Sequence, residues 1–127
     1  DIVFANKPEM EILFNYKKIE KSIKRIMQYV TSGAIKLGKE GAIVFDNDVH
    51  FRTLARPVEV LDTTGAGDMF AAGFLSSLTR KVPLDKAGKI AAYIAGEIIK
   101  VNGARINKET IEKIREEVFH PRYNFEF

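Results

Sequence analysis

Two carboxylates, two hydroxyls and two glycines fall within seven consecutive residues, Asp62-Thr63-Thr64-Gly65-Ala66-Gly67-Asp68. Ahead of them Pro57-Val58-Glu59-Val60 alternates like a strand, and behind them residues 69–78 are largely apolar and of helical length. A strand that turns through glycines into a helix leaves the first helical amides without intrahelical acceptors, and the helix dipole adds roughly half a positive charge there. Such an end binds anions, phosphate above all. Gly65 and Gly67 are expected to permit positive φ and a close approach of ligand to backbone, with Ala66 the largest side chain the turn tolerates.

Asp68 places a carboxylate in the first turn of that helix, where it complements the dipole. A carboxylate is a weak base toward a ground-state alcohol. In a loose phosphoryl-transfer transition state, however, the hydroxyl turns acidic as it bonds to phosphorus, and a positioned aspartate takes the proton late. The stretch therefore reads as kinase chemistry. A plainer reading makes Asp62, Thr63 or Thr64 an N-cap, the glycines a simple turn and Asp68 a dipole-compensating residue, but a cap needs one polar residue, not two glycines between two aspartates.

DTTGAGDMFAAGF resembles the C-terminal signature of the ribokinase, or PfkB carbohydrate kinase, family, which includes the adenosine kinases. The resemblance implies Asp68 as catalytic base, the amides of Gly65, Ala66 and Gly67 as anion hole, and Asp62 beside a monovalent cation. The Rossmann pattern G-x-G-x-x-G fails here, because Phe70 occupies the third glycine position.

The chain opens with the apolar run Ile2-Val3-Phe4-Ala5, short enough for a buried parallel strand, and continues into Asn6-Lys7-Pro8-Glu9, suited to a helix start. Asn6 and Glu9 form N-x-x-E, placed where a strand ends and a helix begins, which is where ligands bind in open α/β sheets. A capping box explains the same two residues. The family carries N-x-x-E at this distance from its signature, which implies that Asn6 binds nucleotide and that Glu9 holds magnesium through water.

Residues 18–30 have Ile19, Ile23, Ile26, Met27 and Val30 on one helical face and Lys18, Lys21, Lys24 and Arg25 on the other, the pattern of a solvated basic face. GAIKLG and GAIVFD then read as strands, with a turn at Asp46 to Asp48 into Val49-His50-Phe51-Arg52-Thr53. Gly33 to Lys39 fits the start of a Walker A motif, but Glu40 stands where Ser or Thr is required and Ile35 and Leu37 alternate like strand residues, so that reading is rejected. KLGKEG instead resembles the family's T-L-G-x-x-G segment, which implies nucleotide-binding roles for Lys36, Gly38, Lys39 and Gly41. Lys36 replaces the usual threonine. Both lysines can equally be solvated charges. His50 reads as an exposed strand residue, and neither it nor His120 has a metal partner by spacing.

A helix is expected from about Gly67 to Arg80 and another from Pro83 to about Val101, the second with Ile90, Ala91, Ile94, Ala95 and Ile98 buried. In the family this second helix leads to the adenine pocket, which places Ala92 among the nucleotide-binding residues. It then leads to a Gly-Ala turn, matched by NGAR at 102–105. By that match the carbonyls of Ile98, Val101 and Gly103 join Asp62 and Thr64 around a potassium-like ion; Gly103 would also serve as a helix C-cap. Asn107 caps a last helix over residues 109–118, and the tail HPRYNFEF is irregular.

The order strand, two helices, four strands, three helices predicts one α/β domain over residues 1–127, long enough to bury roughly 65% of its unfolded surface. The resemblance makes it the C-terminal half of a ribokinase-like fold, three α/β/α layers with a mostly parallel sheet, its N-terminal substrate and lid part missing. A truncated form, a proteolytic remnant or one chain of a split protein is expected. Formal net charge is +3, with Lys and Arg scattered, which does not argue for nucleic acid; no apolar run approaches the roughly 20 residues of a membrane span. With no cysteine, disulfides and thiolate metal sites are excluded, and a cytoplasmic location is the default. The expected activity is ATP-dependent phosphorylation of a sugar or nucleoside hydroxyl with ATP, Mg2+ and K+, closest in phrasing to the adenosine-kinase branch. The competing reading is a non-catalytic nucleotide-binding or interaction module. Partners are the small-molecule substrate and either a second copy or the missing half.

Overall fold

The computed structural model describes residues 1–55, 65–100 and 106–119. Strand β1, Ile2–Asn6, passes directly into helix α1, Lys7–Phe14, because Asn6 caps the helix. Its Oδ1 accepts from the Glu9 N–H at 2.9 Å and Glu9 Oε2 accepts from the Asn6 N–H at 2.8 Å, with Pro8 in the first turn where a missing donor is harmless. The capping box is therefore real. Helix α2, Ile19–Ile26, buries Ile23 and Ile26 and leaves Lys21, Lys24 and Arg25 in solvent, as the basic-face reading requires. It ends earlier than the expected Val30: the Gln28 and Tyr29 amides reach back three residues, to the Arg25 and Ile26 carbonyls, in closing turns.

Strand β2, Ser32–Lys36, a single 3₁₀ turn at Gly38–Glu40, and strands β3, Ala42–Asp46, and β4, Val49–Thr53, complete a sheet in the order β1-β2-β3-β4. β1 and β2 are parallel; β2, β3 and β4 form an antiparallel meander. The expectation of a mostly parallel sheet thus holds only for β1–β2 among the described strands. The reason is connection length: Asn47 and Asp48 alone join β3 to β4, with Asn47 at φ 52°, and so tight a link permits only antiparallel neighbours. The strand expected at 57–60 lies outside the described residues.

Alternation along the strands sends residues to two cores. Ile35, Leu37, Ile43 and Phe45 pack with Met10 of α1 and Ile23 and Ile26 of α2. Ala34, Ala42 and Val44 pack on the opposite face with Phe70 and Phe74 of α3, Ala66–Thr79, and Ala87 and Ala91 of α4, Leu84–Ile98. The result is the expected three-layer α/β/α arrangement. Phe4 of β1 meets Phe74 edge-on at 6.0 Å. Small residues set the spacing: a Cβ on Gly73 would come within 3.0 Å of Ala91 Cα, and one on Gly88 would overlap the Thr53 hydroxyl.

Helix α5, Lys108–Phe119, begins at Asn107, whose Oδ1 accepts from the Thr110 N–H at 2.7 Å, as expected of a cap. It docks on α4 through Ile114 and Val118 against Ile90, Tyr93 and Ile94. The Tyr93 hydroxyl donates to Glu117 across the same seam. Glu97 adds a buried charge, 7% exposed, with Lys100 at 2.5 Å and Lys113 of α5 at 3.5 Å. No helix among the described residues is long and apolar enough to cross a membrane.

Two predictions follow from this packing. At Gly33, in β2, a methyl would stand 2.5 Å from the Val3 carbonyl oxygen and 2.7 Å from Phe45 Cζ. Gly33→Ala should therefore destabilise the chain by about 2 kcal/mol in urea unfolding, since neither a backbone oxygen nor a packed ring can move aside cheaply. Burial pushes the Glu97 carboxyl up, but the ammonium groups of Lys100 and Lys113 outweigh it and hold the net value below an ordinary glutamate's 4.5. A depressed carboxyl stabilises the fold above its unfolded pKa and loses that contribution as pH falls through the folded one. Thermal unfolding below pH 4.5 should accordingly show acid destabilisation that Glu97→Gln reduces.

Candidate functional site

Parallel pairing brings the carboxyl ends of β1 and β2 side by side, with Asn6 and Lys36 in register. From the first end α1 starts with its capping box; from the second, residues 37–41 curl into the 3₁₀ turn. Leu37 N–H donates to the Gly41 carbonyl at 2.8 Å and Gly41 N–H to the Gly38 carbonyl at 3.1 Å, so the loop is tight. Its two glycines serve different ends. Gly41, at φ 93°, has the Thr53 carbonyl where a side chain would be; Gly38, at φ 61°, has nothing within 4 Å of its Cβ position, an open backbone that a ligand can approach. This loop is not a phosphate-cradling P-loop, since β2 runs through the stretch that would have to form it.

Helix α3 begins with Gly65 as its N-cap, at φ 80°, and no side chain among the described residues caps it. The cap residue thus has no side chain of its own to spend on the first-turn amides; Asp62, Thr63 and Thr64, the other expected caps, lie outside the described residues. Gly65 has the positive φ expected of it. Gly67 does not: it lies within the helix, and the space its missing Cβ leaves is taken by the end of Lys36, whose Nζ would overlap a Cβ there and whose Cε would lie 3.7 Å from it. Asp68 stands exposed in the first turn and makes no ion pair among the described residues.

Asn6, Lys36 and Gly67 are thus brought together from three separate segments. Between the two open readings of the lysines, Lys36 is partly buried against α3, whereas Lys39 is exposed on the 3₁₀ turn. The contact between Lys36 and Gly67 is what sequence reading missed, and the available signal was the alternation of β2: Lys36 shares a face with Ala34, which packs under α3 and α4. Glu9 has one oxygen committed to the Asn6 amide and the other without a described partner. No group of three His, Cys, Asp or Glu side chains converges among the described residues. One carboxylate is nonetheless compatible with magnesium, which keeps most of its waters. Ala92 is partly buried against the core between the sheet and α3, and Ile98 is fully buried in α4. Asp62, Thr64, Val101 and Gly103 lie outside the described residues.

The sequence matches the pfkB family carbohydrate kinase pattern over residues 1–111. It is 30% identical over 117 residues to a nucleoside kinase of Methanocaldococcus jannaschii, an alignment covering 91% of this chain and 38% of that protein. Among solved structures, the adenosine kinase of Sinorhizobium meliloti superposes with a TM-score of 0.82 at 32% identity, over 91% of this chain and 36% of that one. The Arabidopsis thaliana ribokinase complexed with ribose and ATP superposes with a TM-score of 0.77 at 24% identity, over 90% of this chain and 40% of that one. In each pairing the chain spans well under half of its relative's length. A signature at the start of α3, a family match over most of the sequence and a shared ribokinase-like architecture agree, and the chain belongs to the pfkB family of carbohydrate kinases.

Proposed function

We propose that this chain supplies the nucleotide-binding part of a kinase that transfers the γ-phosphoryl group of ATP to a hydroxyl of a sugar or nucleoside. The observation that carries the reading is the start of α3: a glycine cap at φ 80°, no capping side chain among the described residues, and the Asp68 carboxylate in the first turn. The amides of Gly65, Ala66 and Gly67 bind the migrating group where its charge develops. The acceptor oxygen forms a bond to the γ-phosphorus, its proton passes to Asp68, and the bond to the β-phosphate oxygen breaks, releasing ADP. Glu9 would hold Mg2+ through water, and the metal would neutralise charge on the phosphates. Asn6 and the loop carrying Lys36, Gly38, Lys39 and Gly41 line the nucleotide, with Ala92 beside the adenine. Asp62 and Thr64, with the carbonyls of Ile98, Val101 and Gly103, form the K+ site. The names of the relatives support sugar or nucleoside as the substrate class; the wording of VNGAR and DTTGAGDMFAAGF favours the adenosine-kinase branch.

The test is Asp68→Asn in the full-length protein that carries this chain. Loss of the base should lower kcat by about 10³-fold, in the range for a positioned general base, while ATP affinity changes little. Turnover close to the unaltered rate with ATP binding intact would refute the base assignment. ATP binding with no turnover in the unaltered full-length protein would favour the non-catalytic module.

A further inference from the structure

Lys36 is the last residue of β2, and its side chain crosses to α3, where the absence of a side chain at Gly67 leaves room for the ammonium. The charge therefore stands at the end of α3 where the dipole is already positive, an arrangement unfavourable in itself. The described carboxylates do not relieve it. Lys36 makes no ion pair among the described residues; Glu9 is turned to the Asn6 amide, Glu40 pairs with Arg52 at 3.0 Å, and Asp68 stays unpaired. Nor is Lys36 merely a solvated surface charge like the fully exposed Lys39, since it is partly buried and packed on the α3 backbone. A cation and first-turn amides that no described side chain caps converge on one space, which suits an anion of more than one negative charge.

We propose that the Lys36 ammonium is a catalytic group of the transfer, gripping the migrating phosphoryl group from the β2 side while the amides of Gly65, Ala66 and Gly67 hold it from the α3 side. The inference rests on the kinase reading above and deepens it, turning Lys36 from one residue of a nucleotide-lining loop into a charge on the reacting group. A primary ammonium suits this task, because three donors on a flexible stem can follow an oxygen that moves as bonds exchange. Gly67 becomes part of the same device, since a methyl there displaces the ammonium.

The experiment compares unaltered protein with Lys36→Met and Lys36→Arg in three measurements. In calorimetric titration of this chain with tripolyphosphate, Lys36→Met should weaken binding at least about 10-fold, the effect of one charge-assisted contact, and Lys36→Arg should retain most of it. Without ligand, Lys36→Met should raise the thermal midpoint, because a cation leaves the positive end of a helix; a structural lysine would lower it. In the full-length protein kcat should fall more than KM for ATP rises. If Lys36→Met binds tripolyphosphate like the unaltered chain, or if only KM changes, the Lys36 role is overturned and the kinase reading stands. Failure of the unaltered chain and of full-length protein to bind tripolyphosphate or ATP would overturn both.

Discussion

Parallel pairing of β1 with β2 is the constraint on which the rest of the site depends. It aligns Asn6 with Lys36 and points both strands the same way, so that everything following them emerges at one end of the sheet. Parallel neighbours require a crossover, and that crossover is α1 and α2, whose apolar faces bury Met10, Ile23 and Ile26 and so close one side of the molecule. An antiparallel pairing would carry Lys36 to the opposite end from Asn6. The site would then lose its floor.

On the other face the controlling quantity is distance. α4 lies on the sheet at Gly88, where a methyl group would overlap the Thr53 hydroxyl, and α3 lies on α4 at Gly73, where one would be a tight 3.0 Å fit. This seating holds the α3 N-terminus over Lys36, and Phe74 against Phe4 ties the same helix to β1. These glycines thus do different physical work: Gly65 supplies a left-handed turn, Gly67 supplies room, Gly33 admits Val3 and Phe45 of the same sheet, and Gly73 and Gly88 let layers approach. Stability and chemistry meet at the α3 cap, where a serine or aspartate would fasten the helix and would also occupy the amides that a phosphate needs.

Local signals were legible in the sequence where one interaction decides the outcome. Asn6 and Glu9 form the capping box that their spacing announces, Asn107 caps α5, and Val49–Thr53 forms a strand over the residues expected. What depends on two distant segments was not legible. The short Asn47-Asp48 link signals a hairpin, yet sheet direction came from the general habit of α/β folds, so the antiparallel half was missed. Gly67 looked like a turn glycine because nothing in its neighbourhood names Lys36, thirty-one positions earlier, as the group that needs its space. Glu97 was half legible: Lys100 three residues on offers a local partner, but the second cation, Lys113, arrives only when α5 docks.

The amides of Gly65, Ala66 and Gly67 at the start of α3 are proposed as the phosphate-binding element. The most direct measurement of this is amide NMR of the isotope-labelled chain during titration with ATP, with and without magnesium. The account predicts that the Gly65, Ala66 and Gly67 resonances shift first and furthest, with the Lys36 loop following. Saturable ATP binding that moves other amides and leaves these three unchanged would contradict it.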